Sequence, residues 1–351
     1  MKVGWRRIPF LDAVCDESGG NVKTPESEFL LEGRFAVVDQ GKELIAGYVN
    51  DDSRLCHSTL PVIVFGDHTR CFKFIDFPFC MGADGIKVLR PKGDVDVKYL
   101  YHYLRQLRLT EGGYDRHFKY LKRTDVVIPP LVEQRRIAAI LDQAEALRAK
   151  RRAALAQLDT LTQAIFLDLF GDPISNPRKW PQETLETLFH FRTGKLDSNA
   201  AVASGRYPFF TCSREDFRID TYAFDCEALL LAGNNASADY SVKRYKGKFN
   251  AYQRTYVITL QDEKNSYEYA QFVLEHRLAV LKRISKGTNT KYLTMELLNR
   301  LVVPVPPEQL QREFTHRLAA VEKLKSAHRA SIIEMDALFA SLQQRSFRGE
   351  L

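Results

Sequence analysis

The stretch "FGDHTRCFKF" (65–74) sets a carboxylic acid, Asp67, beside an imidazole, His68, on a loop after the apolar run "PVIVFG" (61–66). An acid next to a histidine can act as an acid–base pair. No nucleophile or third group accompanies it, so a base-reading or loop-structuring role fits better. Two Asp-x-Lys pairs, Asp96–Lys98 and Asp262–Lys264, have the residue types of a metal-dependent nuclease. Both stand at the polar start of a helix pattern, where a negative charge favours the helix N-terminus. "DFPF" (76–79) resembles the D-P-P-F/Y loop of amino-methyltransferases, but Phe77 replaces the first proline and no glycine-rich strand precedes it. The chain has no G-x-x-x-x-G-K-[ST] and no G-x-G-x-x-G, the loops that cradle phosphates in NTPases and dinucleotide enzymes. Its six cysteines form no C-x-x-C pair, so they read as buried free thiols of a reducing compartment. No catalytic residue and no metal ligand is assigned.

What remains is binding chemistry. Polar, basic, aromatic-bearing loops lie between apolar runs. They are "DHTRCFKF" (67–74), "EGGYDRHFKYLKR" (111–123), "CSREDFR" (212–218), "GNNASADYSVKRYKGKFNAYQR" (233–254) and "SKGTNTKYL" (285–293). Lysines and arginines such as Lys73, Lys243, Arg244 and Arg254 suit phosphates, and amides such as Gln253 suit base edges. The net charge of +7 agrees with a polyanionic partner. No run of 18 apolar residues and no signal-peptide core is present, so the chain is expected to be soluble and cytoplasmic, with no membrane partner.

The elements that must position these loops repeat. "VVIPPLVEQRRIAAILDQAEAL" from Val126 and "LVVPVPPEQLQREFTHRLAAVEKL" from Leu301 both run from a short strand through Pro-Pro into a long helix. Pro129 and Pro306 are 177 residues apart (306 − 129), and the only tryptophans, Trp5 and Trp180, are 175 apart (180 − 5). Steps of three and four place Ile137, Ile140, Ala144, Leu147, Leu158, Leu161 and Ile165 on the seam of the first helix. Phe314, Leu318, Val321, Leu324, Met335, Leu338 and Leu342 follow on the second, with Arg151 and His328 as polar mid-points. Leu155, Phe166 and Phe339 then fall on outer faces, either awaiting a partner or padding the globular parts. The fold class is therefore α+β. Two pseudo-symmetric mixed α/β domains, 1–128 and 173–305, alternate with two long helices, 129–172 and 306–351, that pair antiparallel as a coiled coil. About 36 residues at about 1.5 Å each give about 54 Å, the span of roughly sixteen base pairs. Helices are also expected at 95–109 and 266–284, capped by Asp96 and Ser266.

"IPPLVEQRRIAAILDQAEALRAKR" (128–151) and "VPVPPEQLQREF" (303–314) resemble the conserved helix starts of type I restriction-modification specificity subunits. "FGDHTRCFKF…GADGIKVL" (65–89), "GRYPFFTCS" and "FDCEALLLAG" resemble strand-and-loop stretches of that family's target recognition domains. In the second helix start, Glu308 follows the prolines directly, where the first copy has Leu131-Val132-Glu133. The resemblance covers essentially the whole chain. It implies a non-catalytic subunit that reads a split sequence in double-stranded DNA. It also implies that the helices dock two adenine-methyltransferase subunits, which carry S-adenosylmethionine. Motor-nuclease subunits using ATP and magnesium would join for cleavage. Carried over, the first domain's base-reading candidates are Asp67, His68, Arg70, Tyr114, Arg116, His117 and Lys119. The second's are Ser213, Arg214, Asn234, Asn235, Thr288, Asn289, Thr290 and Lys291. The residues alone also allow a coiled-coil scaffold with two protein-binding modules, or a nuclease built on Asp96 or Asp262.

Overall fold

The computed structural model describes residues 4–109, 116–215, 217–235, 240–284 and 291–351. The chain divides into two compact units, 1–152 with 330–351, and 153–329. Both divisions fall inside the long helices, Leu131–Phe170 and Glu308–Arg348. Each globular part therefore forms its compact unit together with a half of each helix, which the four-segment division read from the sequence did not anticipate.

In the first unit one sheet has the strand order Val14–Asp16, Ile86–Pro91, Val62–Gly66, Phe72–Ile75, all antiparallel. A second mixed sheet runs Lys23–Thr24, Phe79–Gly82, Phe35–Val38, Gly47–Val49. The strand Val62–Gly66 is buried throughout because its two faces serve two cores. Ile63 and Phe65 pack with the helix Val97–Gln106, while Val62 and Val64 pack with Val38 and Met81 of the second sheet. Side chains alternate sides along a strand, so a strand covered on both faces reads as a continuous apolar run.

The second unit repeats the device. Its six-stranded sheet has the order Phe189–Thr193, Thr255–Leu260, Phe224–Ala232, Val242–Ala251, Tyr207–Phe210, Phe217–Ile219. Leu229 and Leu231 face the core shared with the helix Tyr267–Ile284, and Ala228 and Leu230 face the opposite cluster. Val242–Ala251 lies inside a stretch the sequence reads as loop. Its solvent face carries Arg244, Lys246 and Lys248, and Glu227 of the neighbouring strand pairs with the first two. Cross-strand ion pairs stand where apolar alternation would have announced a strand.

Both long helices begin directly after the second proline, so Glu308 and Leu131 are equivalent and the apparent difference between the two starts disappears. The fourth residue of each helix is a buried glutamine. Gln134 Oε1 accepts the Asp96 amide at 2.7 Å, and its Nε2 donates to Pro129 O at 2.9 Å and Asp94 O at 3.0 Å. Gln311 Oε1 accepts the Ser266 amide at 2.9 Å, and its Nε2 donates to Pro306 O and Asn265 Oδ1, both at 3.0 Å. Each glutamine thus ties the Pro-Pro turn to the start of its own domain's helix. Asp96 caps that helix by accepting from the Lys98 and Tyr99 amides, and Ser266 Oγ accepts from the Tyr269 amide. Tyr99 donates to Val127 O and Tyr269 to Pro304 O, a second repeated bond. The first long helix ends at Gly171, whose φ of 75° suits glycine.

Within each unit the two helices pack antiparallel. Arg148 and Arg152 pair with Asp336 in the first unit, and Asp159 pairs with Lys325 in the second. The seam differs from the expected one at four leucines. Leu147, Leu161, Leu324 and Leu338 are 49, 44, 52 and 56 % exposed. Arg148, Thr162, Lys325 and Phe339 turn inward one residue later. Thr162 is buried and donates to Leu158 O, Lys325 is buried with its ammonium on Asp159 and Glu322, and Arg148 lies over the Phe339 ring. Fully buried Leu141, four residues after Ile137, fills the place expected of Ile140, and steps of three and four from it reach 148 and 162; in the second helix the steps from Phe314 through Leu318 and Val321 reach Lys325 and Phe339. Ile140, Ala144, Leu158, Ile165, Leu318, Met335 and Leu342 are half-buried and Val321 is buried. Phe166 and Phe339 lie in the cores of their units rather than on an outer face, and Leu155 is half-buried.

Candidate nucleic-acid interface

In the first unit the turn 67–71 is closed by Gly66 N–H donating to Cys71 O (2.9 Å) and Arg70 N–H to Gly66 O (2.8 Å). A Cβ on Gly66 would stand 2.7 Å from the backbone carbonyl of Gln40, which cannot give way as a side chain can, so glycine is required there. Arg70 takes φ 61°, an uncommon left-handed backbone for a non-glycine residue. Asp67 does not form an acid–base pair with His68. It is buried, its Oδ1 accepts the Phe118 amide at 2.6 Å, and its carbonyl accepts His117 N at 2.8 Å and sits 3.0 Å from His117 Nδ1. Asp67 and His117 therefore lock the turn to the short helix Phe118–Leu121 rather than facing a ligand. Lys73 is a third correction. It is buried on the strand Phe72–Ile75, with its ammonium 2.8 Å from Asp39 O and 3.2 Å from Asp39 Oδ1. Half-buried His68 donates its amide to Gln40 Oε1. Arg70, Arg116 and Lys119 are exposed around this turn, and Tyr114 lies outside the described residues. Beside it opens a recess of about 700 Å³ lined by Lys42, Arg70, Lys73, Arg105 and Arg108 over Cys71, Phe72, Leu107 and Leu109. Lys42, Arg105 and Arg108 are absent from the sequence-derived set, because nothing in the sequence brings residue 42 beside the end of the helix Val97–Gln106.

In the second unit Asn234, Gln253 and Arg254 do come together, in a cleft of about 370 Å³ with Thr193, Tyr256, Tyr292 and Leu293. Gly233 holds its wall. Its amide donates to Arg254 O and its carbonyl accepts the Leu293 amide, both at 2.8 Å, and a Cβ there would meet Arg254 O at 2.4 Å. Tyr256 donates to Leu293 O, and Asn234 Oδ1 is buried without a hydrogen-bond donor among the described residues. Ser213 and Arg214 are exposed on the turn after Tyr207–Phe210, and Lys243 braces that turn by donating to Arg214 O at 3.1 Å. Arg244 belongs elsewhere. Burial would lower its pKa, but Glu268 and Glu227 hold it charged and raise it, at 2.7 and 2.5 Å. It therefore serves the sheet. Asn235 and Lys291 pair through their backbones in a two-stranded ladder, and Thr288, Asn289 and Thr290 lie outside the described residues.

The nuclease candidates are structural. Asp96 caps its helix, and Asp262 accepts the Lys264 amide at 2.9 Å with that lysine's ammonium 3.7 Å away. No cluster of three potential metal ligands occurs among the described residues. Of the cysteines only Cys80 is buried, and the other five are half-buried free thiols. Among the described residues no helix is long and apolar enough to cross a membrane. The first face offers exposed cations, suited to phosphates, and the second offers amides and Arg254, suited to base edges.

The sequence model of a family described as "Type I restriction modification DNA specificity domain" matches residues 20–157 and again 177–334. The type I restriction enzyme EcoDI specificity subunit of Escherichia coli is 38 % identical over 154 residues, 43 % of this chain and 34 % of that protein. The EcoR124I/EcoR124II specificity subunit of the same species is 31 % identical over 132 residues, 34 % of this chain and 33 % of that protein. The match thus spans about a third of the length of either relative. The crystal structure of a type I restriction-modification S subunit from M. genitalium superposes with a TM-score of 0.68 at 14 % identity, over 99 % of this chain and 96 % of that one.

Proposed function

The chain belongs to the type I restriction-modification DNA specificity domain family, and from that premise we propose that it reads a split target in double-stranded DNA, one half-site per globular domain. The observation that carries the reading is the duplication of one device. Each domain has a two-faced sheet strand and a helix tied by a buried glutamine to the next long helix; beside these the first unit presents a recess lined by cations and the second a cleft lined by amides and Arg254. Exposed cations supply phosphate contacts, which position the protein, and amide and guanidinium groups supply base contacts, which specify sequence. In the first unit Arg70, Arg116 and Lys119 are the contact residues. In the second they are Ser213, Arg214, Asn234, Gln253 and Arg254.

The paired helices set the unread gap and dock two adenine-methyltransferase subunits. S-adenosylmethionine binds on those subunits, and ATP with magnesium on motor-nuclease subunits that join for cleavage. This chain performs no chemistry of its own and works in the cytoplasm. The test is selection from a pool of duplexes with random half-sites and variable gaps, using the full chain co-expressed with its methylation subunits. Enrichment of two short motifs at a fixed gap is the expected result. An ungapped motif, or none, refutes the reading. Magnesium-dependent cleavage by the pure chain, lost in Asp96→Ala, would make it a nuclease instead.

A further inference from the structure

The cationic recess of the first unit can be separated into charges the fold accounts for and charges it does not. Arg105 stands in the last turn of the helix Val97–Gln106, where the helix dipole favours a cation, and pairs with Glu145 at 2.5 Å. Lys73 is neutralised by Asp39 from beneath. Lys42 and Arg108 are exposed and have no ionic partner among the described residues. Among the described residues no carboxylate lines the recess. Cations gathered in one concavity repel each other and focus a positive field, which an incoming anion relieves. The same recess includes Arg70 of the turn 67–71, whose carboxylate Asp67 locks it to the segment carrying Arg116 and Lys119. An anion held there lies next to the loops assigned to the first half-site.

We propose that this recess is a phosphate site that grips the phosphodiester backbone of the duplex at the first half-site, with Lys42 and Arg108 supplying the uncompensated charge. The inference rests on the DNA-reading function proposed above and adds residues to it that carry affinity rather than sequence preference. The described cleft of the second unit is lined by one cation, Arg254, among amides, hydroxyls and aromatic rings. The two units accordingly share the work unequally, the first holding the backbone more strongly.

The test compares the full chain, co-expressed with its methylation subunits, with Lys42→Ala/Arg108→Ala in the same complex by fluorescence anisotropy on mixed-sequence duplexes between about 50 and 200 mM salt. Each phosphate that is no longer neutralised lowers the slope of log K against log salt by about 0.9, so the double variant should lose about 1 to 2 from its slope. It should also bind several-fold more weakly at low salt, by the same factor on every duplex. Lys42→Arg/Arg108→Lys should keep the wild-type slope. Both positions are exposed, and an unchanged melting curve confirms that the variants are folded. If wild type binds DNA and the double variant has the same slope and affinity, the recess proposal is overturned and the DNA-reading function stands. If wild type binds no duplex, both fall. Stabilisation of that non-binding wild type by tripolyphosphate would then assign the recess to a free polyphosphate.

Discussion

Replacing Gln134 by leucine keeps the volume and removes three hydrogen bonds at once. The buried Pro129 carbonyl and the part-buried Asp96 amide lose their partner, while the Asp94 carbonyl, in an exposed stretch, recovers water. A buried polar group left unsatisfied costs about 1–3 kcal/mol, so Gln134→Leu should destabilise the first unit by about 2–4 kcal/mol. A unit of this size shifts its midpoint by about 2–4 °C per kcal/mol, which gives a drop of roughly 5–15 °C. Differential scanning calorimetry of the full chain reads it, and hydrogen exchange should show faster loss of protection at the Asp96 amide. Gln311→Leu should produce the same drop in the second unit, through Ser266 and Pro306. If Gln134→Leu melts with wild type and leaves Asp96 protected, the glutamine is not the tie described and the reasoning fails.

Phe166 is fully buried against Tyr269, Phe272 and Phe314. Phe166→Ala should cost about 3–5 kcal/mol by urea unfolding, and a loss below about 1 kcal/mol would place the ring outside the core. Lys325→Met removes a buried ammonium whose partners, Asp159 and Glu322, are exposed and stay hydrated. Stability should be unchanged or rise by about 1 kcal/mol in the same assay, and a clear loss would mean that the ion pair itself holds the seam. His102 is buried, donates Nε2–H to Asp142 at 2.8 Å and has no partner for Nδ1 among the described residues. Burial lowers its pKa below the usual 6.5, so the folded chain resists a proton that the unfolded chain accepts. Its contribution is present above pH 6.5 and is lost as pH falls below that. Urea midpoints of His102→Gln should therefore decline less than those of wild type between about pH 7 and 5. Parallel pH profiles would refute the assignment.

The sequence discloses what periodicity and repetition encode. The paired strands and helices, the Pro-Pro starts, the caps at Asp96 and Ser266, and the glycine stop at Gly171 follow from local rules that the packing respects. The strand Val242–Ala251 escaped because its outer face is charged and its support, Glu227, comes from another strand. The leucines 147, 161, 324 and 338 fall one residue short of the seam because the buried step after Ile137 is Leu141 and the one after Val321 is Lys325, which residue type alone does not disclose. The interface was legible in part for the same reason. A loop's composition shows that it is cationic, but not that Lys73 turns in to Asp39 or that Asp67 is spent on Phe118. Lys42 and Arg108 meet only through the tertiary fold.

The strand Arg6–Pro9 ladders onto Asp125–Ile128, which sets Gly4 against Pro130, and Arg136 donates to the carbonyl of Leu351 at 2.8 Å. Residues 4 and 351 therefore arrive at the same first turns of one helix. Two segments remote in sequence thus brace one junction, the Pro-Pro turn that Gln134 ties to its domain, so that loosening either would be felt at the start of the first long helix.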